Sequence, residues 1–284
     1  MVEPRSEWVV GEPLPPLRPY VERYCGYRMT GFPAGLHRGV PSRHMTLIVS
    51  IGPDIDVVAQ TNPAQGPERY RCVIGGLQAS TALIRHDGNQ EGVAIELTPL
   101  GSRALLGMPA AELWDMSLEL SAVLGSAGRE LWERLQPAEL GWDQRFRVCD
   151  DVLARRLHPY DTPPELRFSW EALVSSGGQI AIGQLARDTG WSRQHLGHRF
   201  RQEFGLAPKL AARVVRFERA RRMLQSVPPF VSIAQVAAVC GYYDHAHLDR
   251  DFLELAGCTP SELLAEDLPS FQDEAAAEAS SSCP

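Results

Sequence analysis

The spacing of apolar residues changes along this chain, and each change predicts a different kind of element. Between Tyr20 and Pro99 apolar residues come in short runs closed by turn residues, as in HMTLIVSIGP, DIDVVAQ, RCVIGGLQAS, TALIRHDG and EGVAIELTP. Runs of this length between Gly and Pro predict strands, and several in succession predict a small β-barrel or sandwich. After Leu100 the spacing becomes helical. SRALLG, PAAELWD, SAGRELWERLQ and GWDQRFRVCDDVLARRLH predict three or four short helices, the last with Phe146, Cys149, Val152, Leu153 and Leu157 on one stripe. Residues 1–19 hold five prolines and no period, which predicts an extended arm, and HPYDTPPE at 158–165 predicts a linker.

Beyond the linker one pattern occurs twice. Ile182, Leu185, Ala186, Gly190, Leu196, Phe200, Gly205 and Pro208 are repeated 51 to 52 residues later by Ile233, Val236, Ala237, Gly241, Leu248, Phe252, Gly257 and Pro260. The one-residue slip falls between the first glycine and the leucine. Each copy predicts a short helix, a break at glycine and a second helix whose Leu and Phe face the first, which is a helix-turn-helix. The small alanine lets the backbones approach, and glycine takes the positive φ of a tight turn. A helix from Leu166 to Ser175 leads in, and Pro208 to Ser226 predicts a helix joining the copies, stopped by Val227-Pro228-Pro229.

This doubled pattern, in LARDTGWSRQHLGHRFRQEFGLAPKL and then IAQVAAVCGYYDHAHLDRDFLELAGCTPSELL, resembles the AraC/XylS family of bacterial transcription regulators. The resemblance covers roughly residues 165 to 267. It implies an α+β protein with a cupin-like β-barrel and following helices in residues 1–157, then a linker at 158–165. An all-α DNA-binding part at 166–268 and a disordered tail at 269–284 complete the expected layout. In the first copy Ser192 is placed to cap the second helix, leaving Arg193, Gln194, Gly197, His198 and Arg201 outward. The family's base-contacting positions match Gln194, Gly197 and His198, although arginine is common where His198 stands. Arginine suits guanine and glutamine suits adenine, so Arg193, Gln194 and His198 are the candidates for base edges, and Ser192 and Arg201 for phosphates. In the second copy Ser232 and Gln235 form a capping-box pattern, and His245, Asp249 and Arg250 are the candidates.

The resemblance further implies double-stranded DNA and RNA polymerase as partners, a small-molecule effector in the barrel, activation, and a cytoplasmic location. The helices after the barrel either pair two copies into a homodimer or pack on their own barrel. Aromatic and histidine side chains near the strands, Tyr24, Tyr27, Phe32, His37, His44 and His86, are the candidate effector contacts. They lack the compact His-x-His set of a metal-binding cupin, and no nucleophile elbow or phosphate loop occurs, so no metal, cofactor or catalytic residue is expected. The six cysteines include no Cys-x2-Cys pair, which predicts reduced thiols. No 18-residue apolar run predicts a membrane span.

A net charge of −7 looks wrong for a DNA binder, but its distribution matters more than its sum. From Ile182 to Arg222 ten basic residues face three acids, and from Val231 to Asp267 one arginine faces seven acids. The first copy is therefore expected to dominate affinity and the second to add discrimination or contact polymerase. The arginines of the joining helix are expected to form mostly a solvated face.

Overall fold

The computed structural model describes residues 3–158, 161–226 and 232–266. The expected tail at 269–284 and the middle of the 158–165 linker lie outside the described residues.

Ten strands build two antiparallel sheets. The larger takes β1 (Arg5–Gly11), β2 (Val21–Thr30), β4 (Met45–Ser50), β7 (Cys72–Gly75), β9 (Gln90–Leu97) and β10 (Ser117–Glu119), in the order β1-β2-β9-β4-β7-β10. The smaller takes β3 (Gly35–Gly39), β5 (Ile55–Ala59), β6 (Glu68–Tyr70) and β8 (Ala82–His86), in the order β3-β8-β5-β6. The expected cupin-like barrel is thus two facing sheets, with no ladder closing one onto the other among the described residues. Residues 5–11 are not a free arm. The five prolines lie outside RSEWVVG, so nothing prevents that stretch from pairing with β2 as an edge strand.

The larger sheet is buried on both faces. One face carries Tyr24, Leu47, Val49, Val93, Ile95 and Ile74, all under 1% exposed, and packs against helices. These are α1 (Leu120–Leu124), α2 (Ser126–Leu135) and α3 (Trp142–Ala154). The Phe146 stripe of α3 packs on its own sheet, where Phe146 stacks on Tyr24 at 5.7 Å and presses on Gly11. SRALLG and PAAELWD form only single turns, a π-helical one at Ser102–Leu106 and a 3-10 one at Ala110–Leu113, and Ser117–Glu119 pairs with β7 instead of joining a helix.

The C-terminal part holds α4 (Pro164–Ser175), α5 (Ile182–Asp188), α6 (Arg193–Phe204), α7 (Pro208–Ser226), α8 (Ile233–Val239), α9 (His245–Ala256) and α10 (Pro260–Leu264). Both helix-turn-helix copies form as the spacing predicts. Leu185, Leu196 and Phe200 are fully buried in the first, and Val236, Leu248 and Phe252 in the second. Gly190 and Gly241 break the pairs at φ 70° and 78°.

The two parts share one apolar core. The cluster that holds the larger sheet continues into Leu166, Trp170, Leu185, Leu196 and Phe200, and Gly205 seats against Trp114. Val40, from the β3–β4 connection, is buried among Val214, Phe217, Val236 and Phe252 of the second copy. The five described cysteines are buried thiols, and no described helix is long and apolar enough to cross a membrane.

Backbone and packing costs separate cleanly in the first copy. A Cβ at Gly190 would meet nothing within 4 Å, so Gly190→Ala carries only the left-handed backbone cost, about 1–2 kcal/mol. Phe200→Ala should cost about 3–5 kcal/mol through the cavity it leaves. Urea melts of the two variants beside the parent chain test this ranking.

Candidate nucleic-acid interface and ligand cavity

Each reading helix is set by a cap. Ser192 Oγ accepts the backbone N–H of His195 at 3.1 Å and starts α6. Asp244 accepts that of His247 at 2.7 Å and starts α9. Ser232 and Gln235 form the expected reciprocal box on α8, at 3.2 and 2.8 Å. With Leu196 and Phe200 inward, Arg193, Gln194, His198 and Arg201 are exposed on one face of α6 beside Ser192. The Arg193 guanidinium lies over Gly183 of α5, where only glycine leaves it room. In the second copy His245 and Arg250 are exposed, and Asp249 is half-buried with its carboxylate 3.2 Å from His245.

The strut α7 corrects one expectation. Most of its arginines are not a solvated face, because the acids of the second copy and the strut itself claim them. Arg213 donates to Asp251 at 2.7 and 3.1 Å and pairs with Glu254. Arg216 lies 5.4 Å over the Tyr242 ring and donates to the Gly178 carbonyl at 3.2 Å. Arg221 is buried, and Arg222 pairs with Glu218 at 2.6 Å. Two residues escaped the sequence reading although signals for them existed. Tyr243 is the extra residue of the second turn, and at 93% exposure it stands directly before the cap of α9. Glu218 is a lone acid among the strut's arginines.

Glu218 is the centre of the contact between the two parts. Only 1% exposed, it accepts the Arg43 backbone N–H at 2.9 Å and lies 3.6 Å from the Arg43 guanidinium. His44 stands 3.9 Å away, with Glu22 at 2.6 Å on its Nε2 and Glu96 at 3.4 Å on its Nδ1, and Arg23 pairs with Glu96 at 2.8 Å. Burial alone would raise the Glu218 carboxyl, but Arg222, Arg43 and His44 outweigh it and hold it at about 2. Glu22, His44 and Glu96 come within ligating distance of one another. Arg23 and Arg43 pair with the two carboxylates, which builds an ion-pair network around His44. Two further contacts join the parts. Arg103 holds Glu203 of α6 through two bonds of 2.7 and 2.8 Å, and Thr81 donates to the Leu255 carbonyl at 2.9 Å.

Between the sheets lies a cavity of about 570 Å³. Tyr27, His37, His44 and His86 line it, as do Trp8 and Met29, which the sequence reading passed over. Tyr24 and Phe32 are not among its lining residues. Tyr24 sits three positions from Tyr27 on β2, hence on the opposite face, where its hydroxyl donates to Asp150 at 2.9 Å. Phe32 packs in the cluster of Cys25, Tyr27 and Met29.

The comparisons with known proteins agree with this layout. A family model described as a helix-turn-helix domain matches residues 185–266, and one described as a domain of unknown function (DUF6597) matches residues 11–119. The HTH-type transcriptional regulator Rv1931c of Mycobacterium tuberculosis is 31% identical over 87 residues, 31% of this chain and 33% of that protein's length. An apo form of ToxT from Vibrio cholerae aligns over 94% of this chain and 99% of its own, with a TM-score of 0.51 and 12% identity. A transcriptional regulator with an AraC-type DNA-binding domain, from Chromobacterium violaceum, is 26% identical over 36% of this chain and 90% of its own, with a TM-score of 0.33.

Two capped helices with polar outward faces, mounted on one strut, define a doubled helix-turn-helix domain, the fold that the matched family model describes. The chain spans about a third of the length of the curated relative it matches.

The acid limb of stability should report the Glu218 network. A carboxyl held at about 2 against an ordinary 4.5 contributes stability that is present above pH 4.5 and lost as the pH falls toward 2. The loss should be about 2–3 kcal/mol. Glu218→Gln should cost about 3–5 kcal/mol at pH 7 by leaving Arg43 and Arg222 uncompensated, and should flatten that limb. Urea titrations of both proteins at pH 7, 4.5 and 3 measure it.

Proposed function

We propose that this chain is a transcription regulator that reads a two-part DNA site with both reading helices, and that a small molecule in the inter-sheet cavity controls the reading. The observation that carries the first half is the strut. Its 19 residues span roughly 28 Å, close to the ~34 Å between successive major grooves on one face of the duplex. A single chain can therefore address two adjacent grooves. In the first copy Arg193, Gln194 and His198 meet base edges, and Ser192 and Arg201 meet phosphates. The Ser192 hydroxyl can donate to phosphate while its oxygen still caps α6. In the second, His245, Asp249 and Arg250 face the groove, and Tyr243 reaches the backbone beside the start of α9.

The first copy dominates affinity. Its outward face is basic, whereas the strut neutralises the second copy's Asp251 and Glu254 without adding cations to its reading face. Control by ligand rests on the connection between β3 and β4. Arg38, Val40 and His44 line the cavity. Arg38 also pairs with Glu266, Val40 is buried in the second copy, and His44 faces Glu218. Because both reading faces are exposed, an effector would act on the setting of the two copies relative to each other, not by uncovering them. In this reading residues 1–157 form the effector part, 158–165 the linker and 166–268 the DNA-binding part. The protein works in the cytoplasm without a catalytic step and activates by contacting RNA polymerase.

Selection of bound genomic fragments at moderate and high salt tests the proposal. The expected motif has two blocks about one DNA turn, 10–10.5 base pairs, apart. Arg193→Ala with His198→Ala should erase one block. Arg193→Ala should weaken binding about tenfold, more than Arg250→Ala does. Binding without a motif, or the reverse ranking, contradicts the reading.

A further inference from the structure

The cavity's chemistry narrows what it takes, and this inference rests on the effector reading above. Alternation along the strands decides which side chains face inward. On β3, Gly35, His37 and Gly39 share the inner face, paired with His86, Ile84 and Ala82 of β8, while Leu36 and Arg38 alternate to the outer one. Arg85 and Asp56 face each other across β8 and β5 on that same outer face. Arg38, Arg69 and Arg85 border the cavity, but strand parity turns their side chains to the outer face, where Arg38 pairs with Glu266, and Arg69 and Arg85 pair with Asp56. On the larger sheet, Glu91 is held by Arg28 and Arg145. His44, which lines the cavity, sits between Glu22 and Glu96, and those two carboxylates are already matched by Arg43 and Arg23.

The polar side chains that β3 and β8 turn inward are two imidazoles. The His37 and His86 rings stand 5.7 Å apart. Burial, with His86 beside it, pushes the His37 imidazole down to about 4, and burial lowers His86 as well, so both are neutral at physiological pH. The buried Nδ1 of each ring and the indole Nε1 of Trp8 meet no hydrogen-bond partner among the described residues. Unmet polar atoms beside a cavity carry a desolvation cost that a ligand group can relieve. The opposing wall is apolar, with Met29, Ile48 and Val73 facing Val57 and Ile84.

We propose that the cavity binds an uncharged, largely apolar molecule bearing a hydroxyl or carbonyl group, which exchanges hydrogen bonds with His37 and His86. A neutral imidazole serves as donor or acceptor. A carboxylate or phosphate would meet bordering arginines already paired with Glu266 and Asp56, and an unpaired buried anion is costly.

Two probes of the same ring system separate the classes: 2-naphthol, uncharged at pH 7.5, and 2-naphthoate, charged. Calorimetric titration of the full chain should show saturable 2-naphthol binding and 2-naphthoate at least about tenfold weaker, a hydrogen-bond-sized difference. His37→Gln and His86→Asn together should weaken 2-naphthol about tenfold. Ile48→Trp should abolish it while leaving the circular dichroism spectrum in place. Naphthoate binding as tightly as naphthol overturns the ligand class and leaves the effector site standing. The same holds for naphthol affinity that ignores the histidine substitutions but falls with Ile48→Trp. Failure of both probes, together with a thermal-shift panel of uncharged and anionic metabolites that moves no melting temperature, overturns the effector reading and the class with it.

Discussion

A single buried carboxylate holds the two parts of this chain in register. Glu218 sits mid-strut with 1% of its surface exposed. A charge so placed is tolerable only when opposite charges and hydrogen bonds surround it. Those come from both sides of the molecule: Arg222 one turn along the strut, and the backbone and guanidinium of Arg43 from the connection between β3 and β4. The geometry of the N-terminal sheets is thereby tied to the helix that spaces the two DNA-reading copies. Val40 anchors the same connection in the apolar core of the second copy. Charge fixes the position of the joint, and the apolar burial beside it supplies non-directional stability.

The strut in turn serves each copy with different residues. Ala211 and Ala212 belong to the core of the first, while Val214, Phe217 and Ala220 belong to that of the second, where the Phe217 and Phe252 rings meet at 4.7 Å. Its Arg213 pairs with Asp251 and Glu254 of the second copy, so part of the electrical contrast between the two halves of the repeat is neutralised internally. A chain of net charge −7 can present a basic reading face because much of its negative charge is spent on inward-facing arginines.

The repeat was legible in the sequence because each of its signals is local. A cap, a break at glycine, and a Leu and Phe four residues apart all act within a dozen residues, and Ser192, Gly190, Gly241 and the Ser232–Gln235 box take the predicted roles. The N-terminal part was legible only as strands and turns. Its larger sheet is buried on both faces, so the polar-apolar alternation that would distinguish inside from outside is erased. Tyr24 and Tyr27 looked alike on that account. Strand parity alone separates them, since residues three apart on a strand face opposite ways. The pairing of residues 5–11 with β2 and the collapse of Ser102–Leu113 into single turns are long-range outcomes. They depend on which sheet edge and which apolar face are available, and local propensity carries no record of that.

The place of the cavity bears most directly on control. A ligand can shift a conformational equilibrium only through contacts that differ between the two states. In many proteins the path from pocket to distant surface is long, and coupling must be spread over it. Here one short connection borders both, because Val40 and His44 line the cavity on one side and meet the helix-turn-helix part on the other. Any occupant that displaces the connection must either move Val40 out of the second copy's core or stretch the contact with Glu218.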